Sequence, residues 1–203
     1  MNYSQNKEQQ IISQYFDGYI GTVLDLGAND GVTLSNSRHF IENGWGGCLV
    51  EASPVTFTKL ESLYSDNDSV DCVNVGISDK NESLTFHDSG THLGGDDTSL
   101  VSTFDARELK RWEKNTTFEK SVVQCVDFMT LLGKTQHTDF DFITMDIEGF
   151  EPLVLPQIDL TKTKCLCIEW NSKPELAGMF KRIATRYGMH EHHRNNENLI
   201  FTR

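Results

Sequence analysis

Val23-Leu24-Asp25-Leu26-Gly27-Ala28-Asn29-Asp30-Gly31 is an apolar run that breaks into a tight, glycine-bearing turn. A run of this length bounded by turn residues reads as a buried strand, and the turn is predicted to open a helix. In an open α/β sheet the ligand sits just beyond the carboxyl end of such a strand. A dinucleotide fingerprint would need glycine at the third and sixth places from Gly27, and Asn29 and Val32 stand there. The branched side chain of Val32 blocks close helix packing on a pyrophosphate, which disfavours NAD and FAD. Asn29 suits the turn, because Asn tolerates left-handed backbone better than other non-glycine residues, and a left-handed or glycine-like conformation is expected at it. A nucleoside ligand without a pyrophosphate fits this loop.

Further apolar runs follow at 47–50, 70–75, 142–145 and 165–168, with helix-period segments between most of them. With the first strand at 22–26, this rhythm predicts an α/β fold with a doubly wound, mostly parallel sheet. Ser53 can cap a helix with Pro54 at its first position, presenting Phe57, Leu60 and Tyr64 on one face. Leu176, Met179, Phe180, Ile183 and Tyr187 keep helical spacing up to Gly188. The runs 189–193 and 199–202 flank Asn195-Asn196-Glu197-Asn198 and read as a C-terminal antiparallel hairpin. Ile11, Ile12, Tyr15 and Phe16 predict a core-facing N-terminal helix within 1–18. Between 79 and 139 the rhythm gives way to a strand at 84–87, a glycine-rich stretch at 90–95, a charged helix and a strand at 121–126. Insertions on the ligand side of such sheets build substrate walls or lids.

The 203 residues are expected to form one domain, 1–203, since domains run to about 150 residues. The apolar runs are far too short to span a membrane, and the polar N-terminus has no basic and apolar leader pattern. The five cysteines, Cys48, Cys72, Cys125, Cys165 and Cys167, lie in strand-like runs and read as buried free thiols, so a cytoplasmic location is expected. A net charge of −12 opposes binding to a phosphate backbone. The basic cluster Arg107, Lys110, Arg111 and Lys114 is interleaved with Glu108 and Glu113 and reads as a solvated helix face.

The second strand ends in Glu51, 20 residues after Gly31. An acid at that place accepts the hydrogen bonds of a ribose diol. Together with Glu51-Ala52-Ser53-Pro54, Asn74-Val75-Gly76-Ile77-Ser78-Asp79, Met145-Asp146-Ile147-Glu148-Gly149-Phe150-Glu151 and Ile168-Glu169, the opening run resembles the successive motifs of the FkbM family of S-adenosylmethionine-dependent methyltransferases. The resemblance extends from about Thr22 to Phe201, and the Asp-x-Glu-Gly-x-Glu run is its most specific element. It implies a Rossmann-like class I methyltransferase fold and S-adenosylmethionine as cofactor. It implies cofactor contacts at Asp25, Gly27, Ala28, Asn29, Gly31, Glu51, Ser53, Gly76 and Ile77. Two departures stand out: Met145 occupies a place often basic, and the usual acid-proline pair is spread to Glu51 and Pro54.

Asp146 and Glu148 follow a strand and are expected to bracket the reaction centre as catalytic residues, a buried carboxylate there serving as the base. The structural alternative is that both cap Gly149 and the short helix beyond it. Asp146, Glu169 and Asn171 offer three hard oxygen ligands that suit Mg²⁺, although the resemblance demands no metal and none is favoured. Gly94 to Leu100 matches a small-residue and hydroxyl segment of the same family and reads as either a ligand contact or a surface loop. His190-Glu191-His192-His193 puts only His190 and His192 on one strand face and reads as an exposed edge.

These readings converge on O-methylation of a hydroxyl on a small molecule or glycan, an EC 2.1.1 activity, with no nucleic-acid or membrane partner. A nucleic-acid 2′-O-methyltransferase would want a lysine-rich catalytic set and a basic groove. A non-catalytic binding module would not need the acids at Glu51, Asp146 and Glu148.

Overall fold

The computed structural model describes residues 2–90, 99–112, 114 and 116–203. In chain order it forms α1 (Glu8–Phe16), β1 (Thr22–Leu26), α2 (Arg38–Glu42), β2 (Gly46–Val50), α3 (Pro54–Tyr64), β3 (Val70–Val73), β4 (Gly76–Ile77) and β5 (Glu82–Asp88). Then come α4 (Ala106–Trp112), β6 (Glu119–Val126), α5 (Phe128–Leu132), β7 (Phe142–Met145), α6 (Glu151–Val154), β8 (Cys165–Glu169), α7 (Pro174–Arg186), β9 (His190–Arg194) and β10 (Asn198–Thr202).

Seven strands make one sheet in the order β3-β2-β1-β7-β8-β10-β9, parallel from β3 to β8. The strand order reverses between β1 and β7, where Asp25 stands opposite Thr144 and Leu26 opposite Met145. This is the topological switch point at which open α/β sheets leave a crevice. Alternate residues feed two cores. Leu24, Leu26, Ile143 and Met145 point with Leu166 and Ile168 toward Phe180 and Ala184 of α7. Val23, Leu49, Phe142 and Cys167 point the other way, toward Ile12 and Phe16 of α1, Phe40 of α2 and Leu60 of α3. Burial on both faces is why these parallel strands read as near-continuous apolar runs.

Ser53 caps α3 as expected, its hydroxyl accepting from the Thr56 amide at 3.4 Å. The C-terminal hairpin inserts its second strand first: β10 lies between β8 and β9, antiparallel to both, leaving the histidines of β9 at the sheet edge. All five cysteines are free thiols. Among the described residues, no helix is long and apolar enough to cross a membrane.

Two local expectations are corrected. The turn after Gly31 does not open a helix; the next helix, α2, begins only at Arg38. Asp30 Oδ1 accepts from the Val32 and Thr33 amides at 2.8 and 2.7 Å, and Leu34 has a φ of 54°. Such side-chain bonds offer the backbone an alternative to helix. The 70–75 run also splits after Val73. Asn74 donates to the Glu51 carbonyl at 2.8 Å, and Gly76–Ile77 leaves to pair with β6 in a second sheet, β4-β6-β5. That sheet takes both predicted strands of the insertion, with β5 and β6 antiparallel from Glu82 opposite Cys125 to Asp88 opposite Glu119.

Candidate active site

A cavity of about 290 Å³ opens at the switch point, beyond the carboxyl ends of β1, β2, β7 and β8. One wall is the loop after β1. Gly27 has a φ of 91°, and a Cβ there would lie 1.9 Å from the Asp146 carbonyl oxygen, so chain packing alone demands glycine. Asn29 is left-handed, with a φ of 51°. Its amide donates to Glu51 Oε2 at 2.9 Å, and the Ser53 amide donates to Glu51 Oε1 at 2.6 Å. Glu51 is thus buried with each oxygen already holding one backbone amide, and each keeps a further lone pair for a ligand. Burial pushes its pKa up to about 7 despite both amides. Burial likewise lifts Asp25 to about 7, partly offset by the Ser37 hydroxyl 2.5 Å away.

The opposite wall explains the spacing of the Asp-x-Glu-Gly-x-Glu run. Asp146 leaves β7 and opens into the cavity. Glu148 turns back toward it with a φ of 48°, followed by Gly149 at 109°. Glu151, almost wholly buried, accepts from the Ile147 and Gly149 amides at 2.8 and 3.1 Å and so holds the loop. The amide-holding role considered for Asp146 and Glu148 thus falls to Glu151. Glu169, at the end of β8, joins the pair, and one carboxylate oxygen from each of Asp146, Glu148 and Glu169 lies within 4.8 Å of the others. Desolvation by the surrounding protein raises Asp146 to about 6, a hydrogen bond shared with Glu169 pulling the other way. Glu148 and Glu169 are raised well above the usual carboxylate range, first by burial and then by the charge of Asp146.

Of the residues expected at the site, Asp25, Gly27, Ala28, Asn29, Glu51, Ile77, Asp146 and Glu148 line this one cavity. Gly31, Ser53 and Gly76 stand behind it. A Cβ on Gly31 would meet Leu60 at 2.8 Å, and one on Gly76 would meet Cys125 at 2.5 Å, so both are packing positions. Ser53 donates to Asp88 at 2.7 Å. Asn171 is not among the residues that line the cavity. It accepts from Arg111 at 3.1 Å, and Glu148 occupies the third place in the acidic cluster.

A model of the FkbM methyltransferase domain matches residues 25–195. The chain belongs to the FkbM methyltransferase family. The structure of an FkbM methyltransferase from Methylobacillus flagellatus KT superposes with a TM-score of 0.54 at 12% identity, over 91% of this chain and 44% of its own. This FkbM domain therefore spans less than half the length of that protein. PH1948 of Pyrococcus horikoshii, a proposed RNA methyltransferase, superposes with a TM-score of 0.50 at 12% identity, over 97% and 80% of the two chains. At these identities the likeness is one of fold, the class I methyltransferase fold. No curated protein sequence matches the chain.

The FkbM domain also brings to the cavity residues that pattern reading passed over. Arg111 is exposed, as a solvated helix face predicts, and also reaches the cavity rim from α4, with Nη1 3.6 Å from Glu108 and 3.9 Å from Glu148. Gln5, Glu197 and Asn198 reach the cavity from the two ends of the chain. They are tied together by Glu8, which is fully buried and accepts from Asn195 at 2.7 Å and Asn198 at 3.0 Å. Nothing around Glu8 in the sequence marks it as buried, so the tie is visible only in the fold. Ser99 and Leu100 line the cavity, Ser99 donating to Asp88 at 2.7 Å, while the rest of the Gly94–Leu100 segment lies outside the described residues.

Proposed function

We propose that this domain transfers a methyl group from S-adenosylmethionine to a hydroxyl oxygen of a small molecule or glycan. The reading is supported most by a single cavity that takes in both Glu51 at the end of β2 and Asp146 at the end of β7. Its volume of about 290 Å³ sits at the lower edge of the range for small-molecule sites, roughly 300–1,000 Å³. The donor set suits a nucleoside: Glu51 has free lone pairs for a ribose diol, Asn29 turns the loop aside, and Val75 and Ile77 offer an apolar surface to a flat base.

When bound, the cofactor supplies an electrophilic methyl on a sulfonium sulfur. The protein must then align an acceptor oxygen, take its proton and exclude water. Asp146, deprotonated above a pKa of about 6, is the proton acceptor; its own charge is neutralised as the proton arrives, which eases its repulsion with Glu148 and Glu169. Leu100, Phe104 and Trp112, all from the segment between β5 and β6, line the cavity and would shield the reacting atoms. Among the described residues that line it, Arg111 is the one cation, an arrangement ill suited to gripping a nucleic-acid backbone.

Calorimetric titration with S-adenosylhomocysteine, followed by transfer of isotopically labelled methyl to a panel of sugars, hydroxylated metabolites and RNA, tests both halves of the proposal. Label in a hydroxylated small molecule or glycan is the expected result. Absence of cofactor binding, or label confined to RNA, would overturn it.

A further inference from the structure

Three carboxylates packed at one point need a counter-charge, and the structure supplies little. One oxygen from each of Asp146, Glu148 and Glu169 lies within 4.8 Å of the others. Cation–oxygen distances of about 2.0–2.1 Å for Mg²⁺ and 2.3–2.6 Å for Ca²⁺ set opposed ligands roughly 4–5 Å apart, so these oxygens already have the span of one coordination sphere. Independently, Glu148 is only 8% exposed, lines the cavity, and its Oε2 has no hydrogen-bond partner among the described residues. The nearby Arg111 nitrogen is 3.9 Å from that oxygen, beyond hydrogen-bond range, and the same guanidinium is shared with Glu108 and Asn171. A buried acceptor without a donor is costly to keep, and a cation is what would relieve it.

We propose that Asp146, Glu148 and Glu169 form a binding site for one hard divalent cation, of the Mg²⁺, Mn²⁺ and Ca²⁺ class. The all-oxygen, all-carboxylate set selects hard ions over those that prefer sulfur or imidazole. Asp146, open to the cavity, gives an entry path. The loop is held by partners that are not ligands: Glu151 takes the Ile147 and Gly149 amides, and the Thr103 hydroxyl donates to the Glu148 carbonyl at 2.6 Å. Each acid contributes one oxygen, so the second oxygen of Asp146 stays available to an acceptor proton. The site goes beyond methyl transfer and does not depend on it.

The test is titration of the purified protein, without cofactor, with Mn²⁺, following free Mn²⁺ by electron paramagnetic resonance, with Mg²⁺ and Ca²⁺ as competitors. One Mn²⁺ per chain is expected, with a Kd between about 10⁻⁵ and 10⁻³ M, displaced by either competitor. Glu148→Gln should weaken binding roughly 10- to 100-fold while circular dichroism shows an intact fold. Should that variant not fold, Glu169→Gln makes the same measurement. No saturable Mn²⁺ site up to about 10 mM, or binding unchanged in the folded variant, would overturn the proposal. S-adenosylhomocysteine calorimetry on the same sample separates the two readings: Mn²⁺ binding without cofactor binding removes methyl transfer and leaves the cation site standing.

Discussion

Glu51 and Glu148 are buried to nearly the same degree, 7% and 8% exposed, yet the fold treats them differently. Glu51 sits at the end of β2 with an amide on each oxygen, so its charge is spread over the backbone of the turn it stabilises. Glu148 sits in the loop after β7 with an oxygen that nothing in the described structure donates to, beside two more acids. The first wall is complete in itself, both Glu51 oxygens being held by amides. The second crowds three acids whose pKa values are raised by burial and by one another, the kind of perturbation on which proton transfer or a cation can act. On the proposed reading, the pre-satisfied acid binds and the frustrated one serves the chemistry.

The comparison breaks most visibly at Asp146. Asp146→Asn keeps the shape and removes the proton acceptor, and turnover is expected to fall about 10²- to 10⁴-fold with S-adenosylhomocysteine affinity nearly intact. Steady-state kinetics beside calorimetry checks this. Wild-type turnover in the variant would remove the frustrated wall from the chemistry altogether.

At the other wall, Glu51→Ala should cost binding rather than chemistry. Loss of one charge-assisted hydrogen bond to the ribose is worth about 1.5–3 kcal/mol, roughly 10- to 150-fold in Kd. The variant also strands the Asn29 and Ser53 amides, so the melting temperature should fall with it. An unchanged Kd would reject the ribose assignment.

The same residue makes a pH prediction. Folding raises Glu51 from 4.5 to about 7, so the folded chain holds its proton more tightly than the unfolded chain does. Its contribution to stability is therefore fully present below about pH 4.5 and is lost as pH rises through about 7. Cofactor affinity should run the opposite way, falling up to about tenfold per pH unit below 7 as the carboxylate proposed to accept the ribose hydroxyls is neutralised. Calorimetry and thermal melts of wild type against Glu51→Gln, from pH 5 to 8, isolate the group. Wild-type affinity and stability rising together relative to the variant would contradict the sign.

The smallest effect is expected at Asn29→Val. Its φ of 51° puts a β-branched side chain in left-handed backbone at a cost of about 1–2 kcal/mol, lowering Tm by roughly 2–8 °C. A melt unchanged within 1 °C would mean that the turn relaxes, and the first wall would then be less rigid than Glu51 makes it.

Much of this protein was legible without coordinates because it is written in neighbouring residues. The apolar runs of β1, β2, β7 and β8 read as strands since burial on both faces leaves them no polar positions, and Ser53-Pro54 announces α3 because cap and first-turn chemistry act within a few residues. Glu51 was found by its fixed distance from the glycine turn, a distance set by one β-turn-α-β unit. Tertiary structure decided what depends on groups far apart in the chain. The acids of Asp-x-Glu-Gly-x-Glu look alike in sequence, but only the left-handed Glu148 and the amides held by Glu151 sort cavity-facing acids from loop-holding ones. Asn171 accepts from Arg111, on an element 60 residues earlier, while Glu148 is brought beside Asp146 and Glu169. Glu8, on α1, is tied to Asn198 of β10 across 190 residues, and the two segments meet beside the cavity. Local sterics act along the chain, whereas charge and packing act through space, and the cavity is built by the second.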